Sequence, residues 1–172
     1  LELAKEKGAL RYGKFELSSG IKSNYYFDGR LITLDPQGAF LIAKAMLPVV
    51  LKSKAHAIGG PTLGADPLVS SVVMLSHLKG KPIIGFLVRP KAKGHGTGNL
   101  IEGPLSTGSK VVIVDDVCST GGSLFRAIDA AEARGCQVVK VMTILDRRQG
   151  GSKELKQRGY DFMALLAATN QG

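Results

Sequence analysis

The sequence has no tryptophan, only two cysteines, and aromatic side chains at just 6% of its 172 positions. Two thiols are too few for a disulfide framework, and Cys118 and Cys136 lack metal-ligand spacing, so reduced cysteines in a cytoplasmic protein are expected. No apolar run approaches the ~20 residues that span a bilayer. The opening LELAKEKGALRYGKFE has no apolar stretch behind a basic start, so neither a membrane partner nor a secretory signal is expected. Few aromatics, and no recognition-helix, zinc-finger or RNA-binding signature, argue against nucleic acid as a partner despite the formal charge of +9. Acids are the scarcer charge, and they are scarcest between residues 79 and 110. There Glu102 alone stands against Lys79, Lys81, Arg89, Lys91, Lys93 and Lys110. That clustering favours a local anion site over a continuous nucleic-acid stripe.

A hydrophobic content of 44% suits one domain, residues 1–172, with a sizeable core. From residue 35 onward strand-length apolar runs alternate with helix-period segments, the pattern of an α/β protein with a parallel sheet. Asp35-Pro36 reads as an N-cap and first helical residue, opening a helix with Phe40, Ala43, Met46 and Leu47 on one face. Strand AHAIGG follows, then helix ADPLVSSVVMLSHLK with Gly80 as its stop, and strand KPIIGFLV. The next unit is strand KVVIVDD, a helix near residues 122–134, Gly135 as its cap, and strand QVVKVMTILD. A short helix SKELKQR and the apolar YDFMALLAA close the chain. Residues 11–34 alternate polar and apolar around Ser-Ser-Gly, which predicts a hairpin outside the main sheet. Residues 89–99, RPKAKGHGTGN, have no apolar side chain larger than alanine and predict a mobile surface loop.

The chemistry concentrates in VVIVDDVCSTGGS, residues 111–123. A parallel strand ending in a Gly-rich turn before a helix aims backbone N–H groups and the helix dipole at one point, where a phosphate fits. Asp115 and Asp116 end that strand. Beside a phosphate they need another target, either vicinal ribose hydroxyls or a divalent cation. A sugar phosphate is the ligand that joins these features. A Walker A loop would need Lys where Ser123 stands, and the turn lacks G-x-G-x-x-G. Cys118 has no base nearby and reads as a packed side chain. Asp146 reads as a strand end, Arg148 as a solvated charge, and His56 and His77 as ordinary histidines.

Residues 111–123 resemble the phosphoribosyl pyrophosphate signature of the type I phosphoribosyltransferases. Within that family FELSSGIKSNYYFD (15–28), RPKAKGHGTG (89–98) and LDRRQGG (145–151) are similar to the orotate-using branch. The resemblance implies a five-stranded parallel core over 35–172 and a small hood from 1–34. It implies transfer of phosphoribose from 5-phospho-α-D-ribose 1-diphosphate (PRPP) to orotate in pyrimidine biosynthesis, through an oxocarbenium-like transition state. Asp115 and Asp116 would hold the ribose hydroxyls. Val117, Cys118, Ser119, Thr120, Gly121, Gly122 and Ser123 would form the 5′-phosphate turn, with Ser119 also near orotate. Arg89, Lys93 and His95 would reach the pyrophosphate, and GGPTLGA (59–65), through Thr62, Leu63 and Gly64, would meet it by backbone amides. Arg147 would fix the orotate carboxylate, and Tyr26 and Phe27 would contact the pyrimidine through their backbone. Mg²⁺ would be held mainly by PRPP rather than by protein ligands, and a homodimer would share its active sites, each catalytic loop closing over the neighbour. Departures from the pattern are Ser18 for a hood lysine, Leu63 and Gly64 where a second-loop lysine stands, and Arg89-Pro90-Lys91 for Arg-Lys-Glu, with Lys91 as candidate replacement. The rival expectations are a purine or uracil transferase, or a PRPP-sensing regulator that binds nucleic acid, which an appended winged helix or a degraded acid pair would favour.

Overall fold

A computed structural model of the chain describes residues 1–16, 22–91 and 100–169. In chain order these form α1 (Glu2–Glu6), β1 (Leu10–Glu16), β2 (Lys22–Phe27), α2 (Arg30–Thr33), α3 (Pro36–Lys52), β3 (Ala57–Pro61) and α4 (Asp66–Leu78). There follow β4 (Ile84–Val88), β5 (Ile101–Glu102), β6 (Lys110–Cys118), α5 (Gly122–Ala133), β7 (Gln137–Asp146), α6 (Gly151–Gln157) and β8 (Phe162–Ala167). The main sheet has the order β5-β4-β3-β6-β7-β8. Its pairs are parallel except β4 with β5, which run antiparallel at the edge.

Strand β6 shows why the run VVIV belongs at the centre. Alternate side chains leave opposite faces of a strand, and all four are fully buried. Val112 and Val114 pack with Ile42, Met46 and Val50 of α3 and Val72 of α4. Val111 and Ile113 pack with Leu124, Ile128 and Ala131 of α5 and Leu155 of α6. Helices on both faces therefore leave no polar position between Lys110 at the start of the strand and Asp115. Each large side chain buried there contributes roughly 1.5–3 kcal/mol relative to exposure.

The capping signal before α3 is realised: the Asp35 carboxylate accepts from the N–H groups of Gln37 (3.1 Å) and Gly38 (2.9 Å). Ala43, Met46 and Leu47 face the core as expected, but Phe40 is 52% exposed. It stands at the margin of the buried stripe formed by Ile42, Ala43, Met46, Leu47 and Val50, beyond the cover of the sheet. The expected hairpin forms as β1 against β2, a separate two-stranded sheet. It stops at Phe27, however, and the rest of that segment turns into α2. The five parallel strands are present, with the two-residue β5 as an addition the sequence did not announce. Expectations for Ser18, Lys93 and His95, and for most of the 89–99 loop, fall outside the described residues.

Candidate active site

The order of strands reverses once, between β3 and β6. From β3 the chain moves outward to β4, then returns to the other side of β3 as β6 and proceeds to β7 and β8. Such a reversal opens a crevice at the carboxyl ends of the two strands, where open α/β sheets bind ligands. A cavity of about 290 Å³ lies there. The hood closes it with Tyr26, Phe27, Asp28 and Arg30, the segment after β3 contributes Thr62, Leu63 and Gly64, and Asp115, Asp116 and Ser123 form its floor.

Asp115 is 5% exposed. Its Oδ1 accepts from the Asp116 N–H (2.9 Å) and its Oδ2 from the Ser123 hydroxyl (2.8 Å). Burial, followed by the adjacent Asp116 charge, pushes its pKa up to about 7. Burial raises Asp116 as well, opposed by hydrogen bonding to Asp115 and by the charge of Arg30. Two adjacent carboxyls buried this way disfavour each other's ionisation, a state that further donors such as a pair of ligand hydroxyls relieve. Gly64 lets the second loop approach them: a Cβ there would stand 2.4 Å from Asp115 Oδ1 and 2.8 Å from Asp116 Oδ1.

The turn into α5 is built around Gly121, whose φ of 88° lies in the left-handed region. Among the described residues no side chain caps the helix, and its first-turn N–H groups, which have no intrahelical acceptors, suit an anion. The Ser123 hydroxyl, expected to serve a phosphate, donates to Asp115 instead. Cys118 is fully buried, and burial pushes its thiol up to about 12, which suits a packed side chain rather than a nucleophile.

Two backbone bonds lock the end of β7 onto this turn: Arg147 N–H donates to Cys118 O (2.9 Å) and Gly151 N–H to Ser119 O (3.0 Å). The approach requires glycine at 151, where a Cβ would meet Gly121 N at 2.6 Å. Arg147 thereby holds a fixed position relative to the turn before α5. Its Nη2 donates to Phe27 O (3.4 Å), its guanidinium lies 5.3 Å from the Tyr25 ring centre, and its Nη1 is buried without a partner among the described residues. A planar two-pronged donor with an unsatisfied buried nitrogen matches a carboxylate. Arg148 is exposed, and its N–H donates to Asp146 Oδ1 (2.8 Å), as befits a charge outside the site.

Of the other expected residues, Thr62, Leu63 and Tyr26 line the cavity, whereas Arg89 and Lys91 do not. Arg89 directly follows β4; its backbone N–H donates to Leu100 O (2.8 Å) and its Nη1 to Glu102 Oε1 (3.2 Å). Lys91 is exposed. The Thr62–Leu63 peptide is cis, and the Thr62 hydroxyl donates to Asp66 (2.7 Å) at the start of α4. The Tyr26 ring packs 5.7 Å from Phe15 and 5.1 Å from Arg11. Asp28 and Arg30 were missed, although an acid and an arginine two residues apart, just after a strand, were visible in YYFDGR.

A phosphoribosyl transferase domain model matches residues 70–163. The orotate phosphoribosyltransferase of Rhodopirellula baltica is 43% identical over 173 residues, covering 97% of this chain and 90% of the relative. Among solved structures, the orotate phosphoribosyltransferase of Mycobacterium tuberculosis in complex with Fe(III) dicitrate superposes with a TM-score of 0.82 at 36% identity, covering 96% of this chain and 94% of that one. The same enzyme in complex with 5-phospho-α-D-ribosyl 1-diphosphate superposes at 0.74 and 33% identity, covering 85% and 82%.

Proposed function

The chain belongs to the orotate phosphoribosyltransferases of the phosphoribosyltransferase family, and on that premise we propose that the cavity between hood and sheet is where its two substrates meet. As a member it is a pentosyltransferase that moves the phosphoribosyl group of PRPP to orotate, giving orotidine 5′-phosphate and pyrophosphate in pyrimidine biosynthesis. The observation that carries the siting is Arg147: its Nη2 donates to the carbonyl of Phe27, a cavity-lining residue, its backbone N–H is locked to Cys118 O, and its buried Nη1 has no partner among the described residues.

In this arrangement the first turn of α5 and residues 119–123 bind the 5′-phosphate, while Asp115 and Asp116 accept from the ribose hydroxyls. Arg147 holds the orotate carboxylate, with Ser119 and the backbone of Tyr26 and Phe27 around the ring. N1 of orotate then faces C1 of the ribose. The new N1–C1 bond forms as the C1–oxygen bond breaks; the electron pair leaves with pyrophosphate, and the proton on N1 is released, with the departing diphosphate oxygens as the acceptor that the reaction itself supplies. Fixing both substrates to one rigid scaffold converts the encounter into an intramolecular one. Positive charge growing on the ribose is favoured by the nearby acids, and the leaving group meets the amides of residues 62–64 and the cations Arg89, Lys91, Lys93 and His95.

Mg²⁺ is the proposed cofactor. Among the described residues no three His, Cys, Asp or Glu side chains form a metal cluster. The ion would be held mainly by PRPP oxygens, and Asp115 and Asp116 supply carboxylates in the same cavity. When bound, the ion would neutralise charge on the diphosphate.

We also propose a homodimer in which loop 89–99 serves the neighbouring subunit's site. The exposed Phe40 and Leu41 of α3, with Met74 and Leu78 of α4, supply apolar surface on the adjacent helices for such a contact. Cytoplasmic residence is proposed from the two free, buried thiols, and no helix among the described residues is long and apolar enough to cross a membrane.

The decisive assay follows orotate absorbance after addition of PRPP and Mg²⁺, with uracil, hypoxanthine and adenine in parallel. Orotate should be consumed and the other bases spared. Equal use of uracil would remove the role given to Arg147.

A further inference from the structure

The cavity is acidic, yet its donor substrate is a polyanion. Asp28, Asp115 and Asp116 all line it, and among the described lining residues Arg30 is the only cation. Arg30 is also unusually well anchored for a half-exposed arginine. Its backbone N–H and its Nε both donate to Asp28 Oδ1 (3.1 Å each), and its Nη2 reaches Asp28 Oδ2 (3.4 Å). Asp28 is itself fixed, because its N–H donates to Ala9 O (2.9 Å) and its carbonyl accepts from Leu31 N–H (3.3 Å) at the start of α2. A side chain held at both ends of its own dipeptide loses little further freedom on meeting a ligand. Nη1 makes no hydrogen bond among the described residues.

Across the cavity from this group runs the segment Thr62-Leu63-Gly64. It carries no cation, and its glycine has no room for a side chain against the two acids. A diphosphate resting on that segment would therefore find its nearest fixed positive charge on the hood. We propose that Arg30 is a substrate-binding residue that grips the diphosphate of PRPP from the hood side, with Asp28 as the tether that aims it and tempers its charge. The proposal rests on the siting of PRPP given above and adds a contact residue to it. The hood thereby acts on both substrates, since Phe27 faces the base through its backbone and, three residues later, the same chain faces the leaving group. Closing the hood would then bring both substrates under one element.

Opposite charge changes at the two residues separate this role from mere support of the hood. Asp28→Asn keeps the oxygen that accepts from the Arg30 N–H but removes the competing charge, whereas Arg30→Gln removes the cation. Calorimetry would be run with PRPP, inorganic pyrophosphate and ribose 5-phosphate, each with Mg²⁺, on the full chain. Arg30→Gln should weaken PRPP and pyrophosphate by about tenfold, leave ribose 5-phosphate within twofold, and be rescued in part by Arg30→Lys. Asp28→Asn should tighten PRPP and pyrophosphate by about threefold. The proposal is overturned if Arg30→Gln binds PRPP as the wild type does, or if both variants weaken all three ligands together with a lowered melting temperature. A wild-type protein that binds none of the three would overturn the siting of PRPP itself, and this contact with it.

Discussion

Replacing Asp115 with Asn should make the ligand-free protein more stable while ending turnover. Burial and the neighbouring Asp116 carry the Asp115 carboxyl from an ordinary 3.8 up to about 7. At about 1.4 kcal/mol per pH unit, holding it ionised in the folded state near neutrality costs on the order of 4 kcal/mol. Asparagine removes that cost but weakens the bonds from Asp116 N–H and Ser123, each worth roughly 0.5–1.5 kcal/mol. A net gain on the order of 1–3 kcal/mol remains, or roughly 3–10 °C for a chain of this size. The pH dependence carries the sign. A carboxyl with a raised folded pKa contributes stability in full below its unfolded value, near pH 4, and that contribution disappears as pH rises through about 7. Asp116 is raised by burial too and acts in the same direction. The wild type should therefore lose melting temperature between pH 4 and 7, and the variant should show a flatter profile. Melting curves across pH 4–8, with orotate turnover beside them, test this. A variant that melts lower than the wild type at pH 7.5, or that keeps the same pH profile, would show that Asp115 is a structural acid.

Other outcomes follow from the same geometry. Arg147→Ala should weaken orotate use by about 2–5 kcal/mol while leaving PRPP affinity nearly unchanged, as calorimetry with each substrate would show; equal losses would speak against carboxylate recognition. Gly64→Ala places a Cβ 2.4 Å from Asp115 Oδ1, and the resulting displacement should lower kcat/KM by about 10²-fold in the orotate assay, with wild-type kinetics counting against the close approach. Lys93→Ala and Asp116→Asn should each be nearly inactive alone, yet refolded together they should recover about a quarter of the sites if subunits share them; activity no higher than the separate variants, with hybrids confirmed by mass, would mean that each chain completes its own site.

The parallel core was legible because its strands are buried on both faces. Runs such as VVIV and VVKVMTILD cannot be amphipathic helices, and the Gly and Asp-Pro punctuation between them set most element ends within a residue or two, although β4 begins three residues after the start of KPIIGFLV. The acid pair and the glycine turn were legible because they are local: strand, turn and helix start lie within 13 residues, 111–123. Phe40 was misjudged because helix periodicity names a face without saying how far the neighbouring sheet extends over it. Strand β5 is two residues long and depends on pairing with β4, which no local pattern records. Arg30 and Asp28 were missed for a related reason. Their chemistry appears only when the hood folds over the ends of β3 and β6, a contact between residues about 90 apart in the chain. The bond from the Ser123 hydroxyl to Asp115 also escaped prediction, since it depends on the side-chain geometry of the turn.

Phosphorus NMR of the reaction mixture tests the central claim most directly, because it follows both ends of PRPP at once. With orotate and Mg²⁺ present, the diphosphate signals of PRPP should give way to free pyrophosphate, while one phosphate monoester persists as part of a new nucleotide whose mass is that of orotidine 5′-phosphate. The conversion should be absent with uracil and absent in the Asp115→Asn, Asp116→Asn protein. Pyrophosphate release at the same rate without any base, or with uracil as readily as with orotate, would contradict the assignment of the cavity to the transfer of phosphoribose to a carboxylated pyrimidine.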